Sequence, residues 1–148
     1  MQCPIEDRLA IQDLMIAYAH AVDTVSDIDA VLEVFTEDAV FDLSGIGLAP
    51  QHGHEGIRAF FTNVFANMAH HAHYLTNFAL TGYDGDTASM RAYVIGMGIG
   101  KDGKDVTVNG RYFFEVRRTD AAAHRGWKAT RYTMDFLMPL SGTLDNAK

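Results

Sequence analysis

The second half of the chain carries the strongest constraint on the fold. From His73 onward, four strand-like runs alternate with clusters of turn-forming residues at 83–86, 101–105 and 119–126. The runs are "HYLTNFALTG", "TASMRAYVIGMGIG", "VTVNGRYFFEVRR" and "GWKATRYTMDFLM". Because neighbouring runs are joined by short turns, they predict a four-stranded antiparallel meander.

The first half is predicted to be mainly helical. After Pro4, apolar residues recur with a helical period on one broad face, and Ser26 is expected to cap a second, shorter helix. A loop rich in Gly and His precedes a third, aromatic-rich helix, and a short strand separates the second helix from that loop. In chain order the segments are "IEDRLAIQDLMIAYAHAVDTV", "DIDAVLEVF", "EDAVFDLSG", "GLAPQHGHEG" and "IRAFFTNVFANMAHH".

Helices that precede strands predict an α+β domain, in which three N-terminal helices cover a strongly curved antiparallel or mixed sheet. Gly96, Gly98 and Gly100 are expected to relax or bulge one strand and help it curve. A bent sheet closed by helices forms a cone with an apolar interior, which is typical of small-molecule pockets. The length predicts that residues 1–148 form a single domain.

Composition argues against several classes of partner. The formal net charge is −7 and the acidic residues are scattered, whereas nucleic-acid binding needs clustered Lys or Arg. The chain has one cysteine, Cys3, which can form neither an internal disulfide nor a thiolate zinc site. No apolar run approaches the roughly 18 residues that span a bilayer, and "MQCPIEDRLA" does not resemble a signal peptide. We therefore expect a cytoplasmic protein with a small-molecule substrate and no nucleic-acid or membrane partner.

Three histidines, His70, His71 and His73, lie close together in "AHHAHYLTN". On a strand His71 and His73 face one side and His70 faces the other, so the three cannot converge on one metal ion. Adding His52 and His54 supplies no His-Glu-x-x-His spacing. The sequence predicts no metal and no cofactor.

His73 is a candidate general base, because neutral imidazole has a pKa near 6.5 and can take up a proton at cellular pH. The alternative is a strand histidine whose ring is satisfied by a neighbour. His70 and His71 are expected at a helix end and at the pocket rim, where His71 could contact a ligand.

The chain resembles the SnoaL-like family of the nuclear transport factor 2-like superfamily over nearly its whole length. "EDRLAIQDLMIAYAHAVD", "FTEDAVFDLSGIG", "HEGIRAFF" and "RYFFEVRR…GWKATRY" carry the resemblance. Within the family it is most similar to hexachlorocyclohexane dehydrochlorinases and scytalone dehydratases, through "AIQDL", "VDT", "GIG", "HYLTN" and "PLSG". The resemblance implies a cofactor-free lyase with an Asp–His pair, matched here by Asp23 and His73.

The resemblance also implies roles for other polar residues. Asp23 would fix the tautomer of His73 and stabilise its imidazolium. The pocket lysine of the dehydrochlorinases falls at Tyr18, which could donate a hydrogen bond to a substrate or pack in the core. Their catalytic arginine falls at Thr130, with Arg131 one residue out of phase. Arg111 becomes the candidate cation, unless its strand is out of phase by one residue, and the sequence leaves open whether Arg111 or Arg131 faces the pocket. The residues expected to line the pocket are Phe41, His71, Met90, Met97, Asn109, Tyr132 and Phe136.

Together these features predict a cofactor-independent lyase that acts on an apolar cyclic or aromatic compound by dehydration, dehydrohalogenation or retro-aldol cleavage. The alternatives are an isomerase or epoxide hydrolase on the same fold, and a non-catalytic ligand-binding protein or small subunit of an aromatic-ring dioxygenase. The aromatic-rich "RYFFEV" strand is difficult to bury on both faces in a small monomer, so we expect a homodimer or homotrimer.

Overall fold

Three helices provide the layer that covers the sheet. In the computed structural model, which describes residues 2–148, they are α1 (Ile5–Asp23), α2 (Ile28–Glu33) and α3 (Gly53–Asn67). Their number and order confirm the prediction. None of the helices in this described part of the chain is both long and apolar enough to cross a bilayer.

The helix ends differ in detail from the prediction. α2 is capped by Asp27, whose carboxylate accepts the Ala30 N–H at 3.0 Å, whereas the Ser26 hydroxyl donates to the Thr24 carbonyl oxygen at 3.2 Å. The prediction of a Ser26 cap was therefore wrong. α3 ends at Asn67, because Met68 is already extended with φ −97° and ψ 139°.

Within residues 2–148, seven strands form one mixed sheet in the order β2-β1-β6-β5-β4-β3, with β7 paired to β5. The strands β3 to β6 form the predicted antiparallel meander, and β1 adds to β6 in parallel. Their bounds are β1 Phe35–Asp42, β2 Gln51–His52, β3 Met68–Tyr83, β4 Thr87–Gly100, β5 Asp105–Arg118, β6 Trp127–Phe136 and β7 Ser141–Gly142. This curved sheet is the α+β architecture expected from the sequence.

Between β3 and β4, the irregular backbone lies in β3 and not in β4. The β3–β4 register shifts at three places, and Asn77, beside one of them, has a positive φ of 56°. The β4–β5 register, in contrast, runs unbroken from Thr87 to Ile99 through Gly96 and Gly98. The prediction that these glycines bulge β4 was therefore wrong for Gly96 and Gly98. Both lie opposite histidine side chains of β3 instead.

An aromatic cluster fills the space between α1 and the sheet. The Tyr18 ring of α1 lies 5.2–6.4 Å, between centroids, from six other aromatic rings. Rings in offset or edge-to-face contact at this spacing add to the stabilisation that comes from burying apolar area. The six rings belong to Phe35, Phe41, Phe61, Tyr112, Phe114 and Tyr132.

The first turn of α1 carries a buried carboxylate, Asp7, whose side chain is only 3% exposed. It accepts hydrogen bonds from Arg118 Nη2 (2.8 Å), Tyr83 Oη (2.8 Å), Arg125 Nε (3.0 Å) and Trp127 Nε1 (3.3 Å). The bond from Arg118, with those from the other donors, holds the pKa of Asp7 well below its usual range despite burial. Asp7 therefore ties the start of α1 to residues of β3 and β5 and to the start of β6.

Replacing Asp7 with Asn should lower the free energy of unfolding by about 1.5–3 kcal/mol, because the charged acceptor of several buried hydrogen bonds is lost. Urea denaturation at neutral pH measures the change. Asp13→Asn, at an exposed position of the same helix, is the matched control and should stay within about 0.5 kcal/mol of the wild type.

The stability difference between wild type and Asp7→Asn should also depend on pH. Folding lowers the pKa of Asp7. The contribution of Asp7 to the free energy of unfolding is therefore complete at pH values above its pKa in the unfolded chain, about 4, and is lost as the pH falls toward its lower pKa in the folded protein. The free energies of unfolding of the wild type and of Asp7→Asn should therefore become more similar as the pH is lowered. A difference that stays constant or grows between neutral pH and pH 3 would contradict this account.

Candidate active site

The last residue of α1 and the middle of β3 meet in a two-point contact. Asp23 Oδ1 lies 2.5 Å from His73 Nδ1, and Asp23 Oδ2 accepts the backbone N–H of His73 at 3.1 Å. The side chains are 28% and 15% exposed, respectively. Because an ionised carboxylate only accepts, Nδ1 of His73 carries the proton, and Nε2 of the neutral ring is left as a bare acceptor.

His71 presents a second imidazole on the same face of β3. Its Nδ1 donates to the backbone oxygen of Val22 at 3.1 Å, and its ring stands edge-on to His73 with centroids 5.7 Å apart. Burial lowers the pKa of His71, and the bond to Val22 offsets this only in part. His70 is exposed and lies in β3, so the prediction of a helix end here was wrong, whereas His71 lies in the cavity lining.

The strand opposite the two histidines carries glycine at both facing positions. Gly96 pairs with His73 and Gly98 with His71. A Cβ added to Gly96 would lie 3.1 Å from His73 Cδ2 and 3.2 Å from Nε2. One added to Gly98 would lie 2.5 Å from Met68 Cε and 3.1 Å from His71 Cδ2. Any larger residue would crowd the rings, so these glycines make room for the imidazoles.

Both histidines line an apolar cavity of about 120 Å³ between the helices and the sheet. A cavity of this order accommodates a benzene-sized ring. Four further residues predicted from the sequence to contact substrate or to assist catalysis also line it, namely Tyr18, Phe41, Met97 and Tyr132. Asp23 is not part of the lining and contacts His73.

Three tyrosines, Tyr18, Tyr112 and Tyr132, contact one another on the wall of the cavity. Their ring centroids are 5.1–5.7 Å apart, and the Tyr132 hydroxyl donates to Met134 Sδ at 3.5 Å. Burial raises the pKa of all three above its usual value, so each hydroxyl keeps its proton and can serve as a donor. Sequence reasoning missed Tyr112, although it alternates with the buried Phe114 and Val116 of β5.

Arg111 does not face the cavity. It lies on the other side of β5 from Tyr112 and forms a two-point ion pair with Asp135, at 2.7 and 3.0 Å. Arg131 is similarly paired with Asp42 at 3.1 Å. The prediction of Arg111 as a pocket cation was wrong by one residue of strand phase.

Three further residues predicted to line the cavity lie elsewhere. Asn109 shares the strand phase of Arg111, Met90 is 1% exposed within the core, and Phe136 packs partly buried against the core. None of the three contributes to the cavity wall. Among residues 2–148, no three His, Cys, Asp or Glu side chains are grouped as metal ligands.

The chain belongs to the SnoaL-like domain family, whose sequence model matches residues 4–133. This confirms the resemblance stated above, and the fold is that of the nuclear transport factor 2-like superfamily. A crystal structure from Novosphingobium aromaticivorans, described as a candidate aromatic ring hydroxylase, is 88% identical with a TM-score of 0.96, over 99% of this chain and all of that one.

More distant structures share the fold. A scytalone dehydratase-like protein of Novosphingobium aromaticivorans has a TM-score of 0.80 at 18% identity, with 92% of this chain and 87% of that chain covered. The hexachlorocyclohexane dehydrochlorinase of Novosphingobium barchaimii has a TM-score of 0.75 at 21% identity, with 93% and 90% covered.

Curated relatives also match part of the chain. An uncharacterised protein of Mycobacterium tuberculosis is 39% identical over 93 residues, which are 59% of this chain and 57% of the relative. The match therefore spans little more than half of that relative's length.

Replacing Asp23 with Asn should release the tautomer of His73, because an amide cannot accept both of the hydrogen bonds that the carboxylate accepts. ¹⁵N NMR of the histidine side chains should show a single Nδ1–H tautomer of His73 in the wild type and a mixture in the variant. His71 is the internal control, since a backbone carbonyl holds its tautomer. An unchanged His73 spectrum would show that Asp23 does not orient the ring.

Proposed function

We propose that this protein is a cofactor-independent lyase that acts on an apolar cyclic or aromatic small molecule. The observation that supports the proposal is the Asp23–His73 contact, which leaves a bare Nε2 on a ring that lines an apolar cavity. A base held in this way needs no further group to take up a proton.

The proposed reaction is an elimination. His73 Nε2 takes a proton from a saturated carbon of the ring or of its side chain, the C–H electron pair forms the new double bond, and the C–O or C–halogen bond on the neighbouring saturated carbon breaks with its electrons on the leaving group. The carboxylate of Asp23 balances the positive charge gained by His73. A departing hydroxide receives the proton from His73 and leaves as water, whereas a halide leaves as the anion and the proton passes to solvent.

Stabilisation of the leaving group is assigned to the tyrosines. Arg111 and Arg131 are paired outside the cavity, while the protonated hydroxyls of Tyr18, Tyr112 and Tyr132 lie on its wall. Neutral donors placed in an apolar site stabilise developing charge on oxygen without the cost of burying a cation. The same base could instead deprotonate a hydroxyl and start a retro-aldol cleavage. The products distinguish the two reactions, because cleavage yields two smaller molecules and elimination yields an alkene.

A second candidate comes from the 88% identical protein that is described as a candidate aromatic ring hydroxylase. On that basis the chain would serve as a non-catalytic subunit of a ring-hydroxylating oxygenase. Purification of a tagged copy from its native host distinguishes the lyase from the oxygenase subunit. Only the subunit role requires a large iron-containing protein to co-purify with the chain.

We also propose that the chain forms a homodimer or homotrimer through the outer face of β3 and β4. Large apolar side chains there are 37–59% exposed, and Tyr74 and Ile95 are directly paired across the two strands. Contiguous exposed apolar surface of this kind is characteristic of an interface. The residues concerned are Tyr74, Tyr93, Ile95 and Ile99.

Replacing His73 with Ala should reduce turnover at least about 100-fold, because a positioned base contributes about 10²–10⁴-fold in rate. A screen of single-ring alcohols and halides, followed by mass spectrometry of the products, identifies the wild-type reaction to be compared. His70→Ala, at the exposed histidine of the same strand, should keep wild-type rates. A His73→Ala rate within threefold of wild type, in a variant with a native circular dichroism spectrum, would disprove the base assignment.

Replacing Ile95 with Glu should convert the oligomer to monomers, because a charge would be placed in the apolar contact. Light scattering coupled to size exclusion measures the mass. Leu9→Glu, at an apolar residue that is 50% exposed on α1, is the control and should leave the oligomer intact. A wild-type mass equal to that of one chain would refute the oligomer.

A further inference from the structure

The elimination described above leaves His71 without a role, although its ring lines the same cavity as the base. The ring is partly buried and contacts His73 at one side and Phe65 at the other, with centroids at 5.7 and 6.4 Å. Gly98 keeps open the space beside its Cδ2 atom, which is bonded to Nε2. His71 is therefore a polar side chain held in a fixed position in a largely apolar cavity wall.

The tautomer of His71 is set by the backbone. The carbonyl oxygen of Val22 can only accept, so Nδ1 of His71 donates to it and Nε2 carries a free lone pair. The hydrogen bond of the His71 ring uses Nδ1 alone, and the ring lies in the cavity wall. The cavity therefore contains a second bare acceptor beside the one on His73.

The partners of the two rings differ, and so does the chemistry they support. His73 is hydrogen-bonded to the Asp23 carboxylate, which balances a positive charge, whereas His71 is hydrogen-bonded to a carbonyl dipole and interacts with Asp23 only through space. Once His73 has taken up a proton, its charge opposes protonation of the neighbouring ring. His71 thus remains a neutral acceptor while His73 acts as the base.

We infer that His71 determines substrate specificity by accepting a hydrogen bond from a hydroxyl group on the substrate ring. The substrate class is then a hydroxylated single-ring compound, because a hydrocarbon or fully halogenated ring has no donor for Nε2 and would leave it unsatisfied. The hydroxyl anchored on His71 places the adjacent C–H before His73. This inference rests on the proposed elimination for that last step, but the binding preference stands without it.

The test compares phenol with toluene, which are nearly equal in size and differ in the donor. Calorimetric or NMR titration gives the ratio of their affinities for the wild type, for His71→Leu and for the matched control His70→Leu. Loss of one hydrogen bond should lower the phenol-to-toluene ratio about three- to tenfold in His71→Leu. The ratio should be unchanged in His70→Leu, whose position lies outside the cavity wall.

An unchanged ratio in His71→Leu would overturn the inference. If that variant does not fold, ¹⁵N NMR of the wild type replaces it: the His71 Nε2 resonance should shift on addition of phenol and not of toluene, and no shift would overturn the inference. His73→Ala separates this inference from the proposed function. If His73→Ala loses the preference for phenol over toluene while His71→Leu keeps it, the role of His71 is refuted and the assignment of His73 as the base is left intact.

Discussion

Helix α1 is held to the sheet by a carboxylate at each end, and the site depends on that attachment. Asp7, in the first turn, accepts from residues of β3, β5 and β6, and Asp23, in the last turn, accepts twice from His73 of β3. Between them Tyr18 inserts into the aromatic cluster. The free energy that docks the helix therefore also orients the His73 ring.

The order of elements was predictable because it depends on local patterns. Hydrophobic periodicity and turn clusters indicated the helices and the meander, and the observed turns occupy the predicted positions. The Asp23–His73 contact is different, since its members are 50 residues apart. Nothing in the spacing brings them together, and only resemblance to a family suggested the pair. Their contact in the folded chain is consistent with that suggestion, and their role in catalysis remains a proposal.

Strand phase and distant polar partners were the parts that sequence reasoning could not supply. In "RYFFEV" large side chains occupy both faces, so alternation alone did not distinguish Arg111 from Tyr112 as the inward residue. Asp7 gave no local signal, because Arg118 lies 111 residues away. At "MAHHAHYL" helix and strand patterns overlap, and the choice was made by the neighbouring strand, to which β3 pairs from Met68 onward.

At Gly96 and Gly98 the absence of a side chain leaves space for the two neighbouring imidazole rings. The two rings that line the cavity occupy volume that an ordinary strand residue would fill. Every glycine codon becomes an alanine codon through one base change, so a single mutation at either position can obstruct one imidazole while removing no reactive group. A survey that looked only for lost acids and bases would score such an allele as harmless.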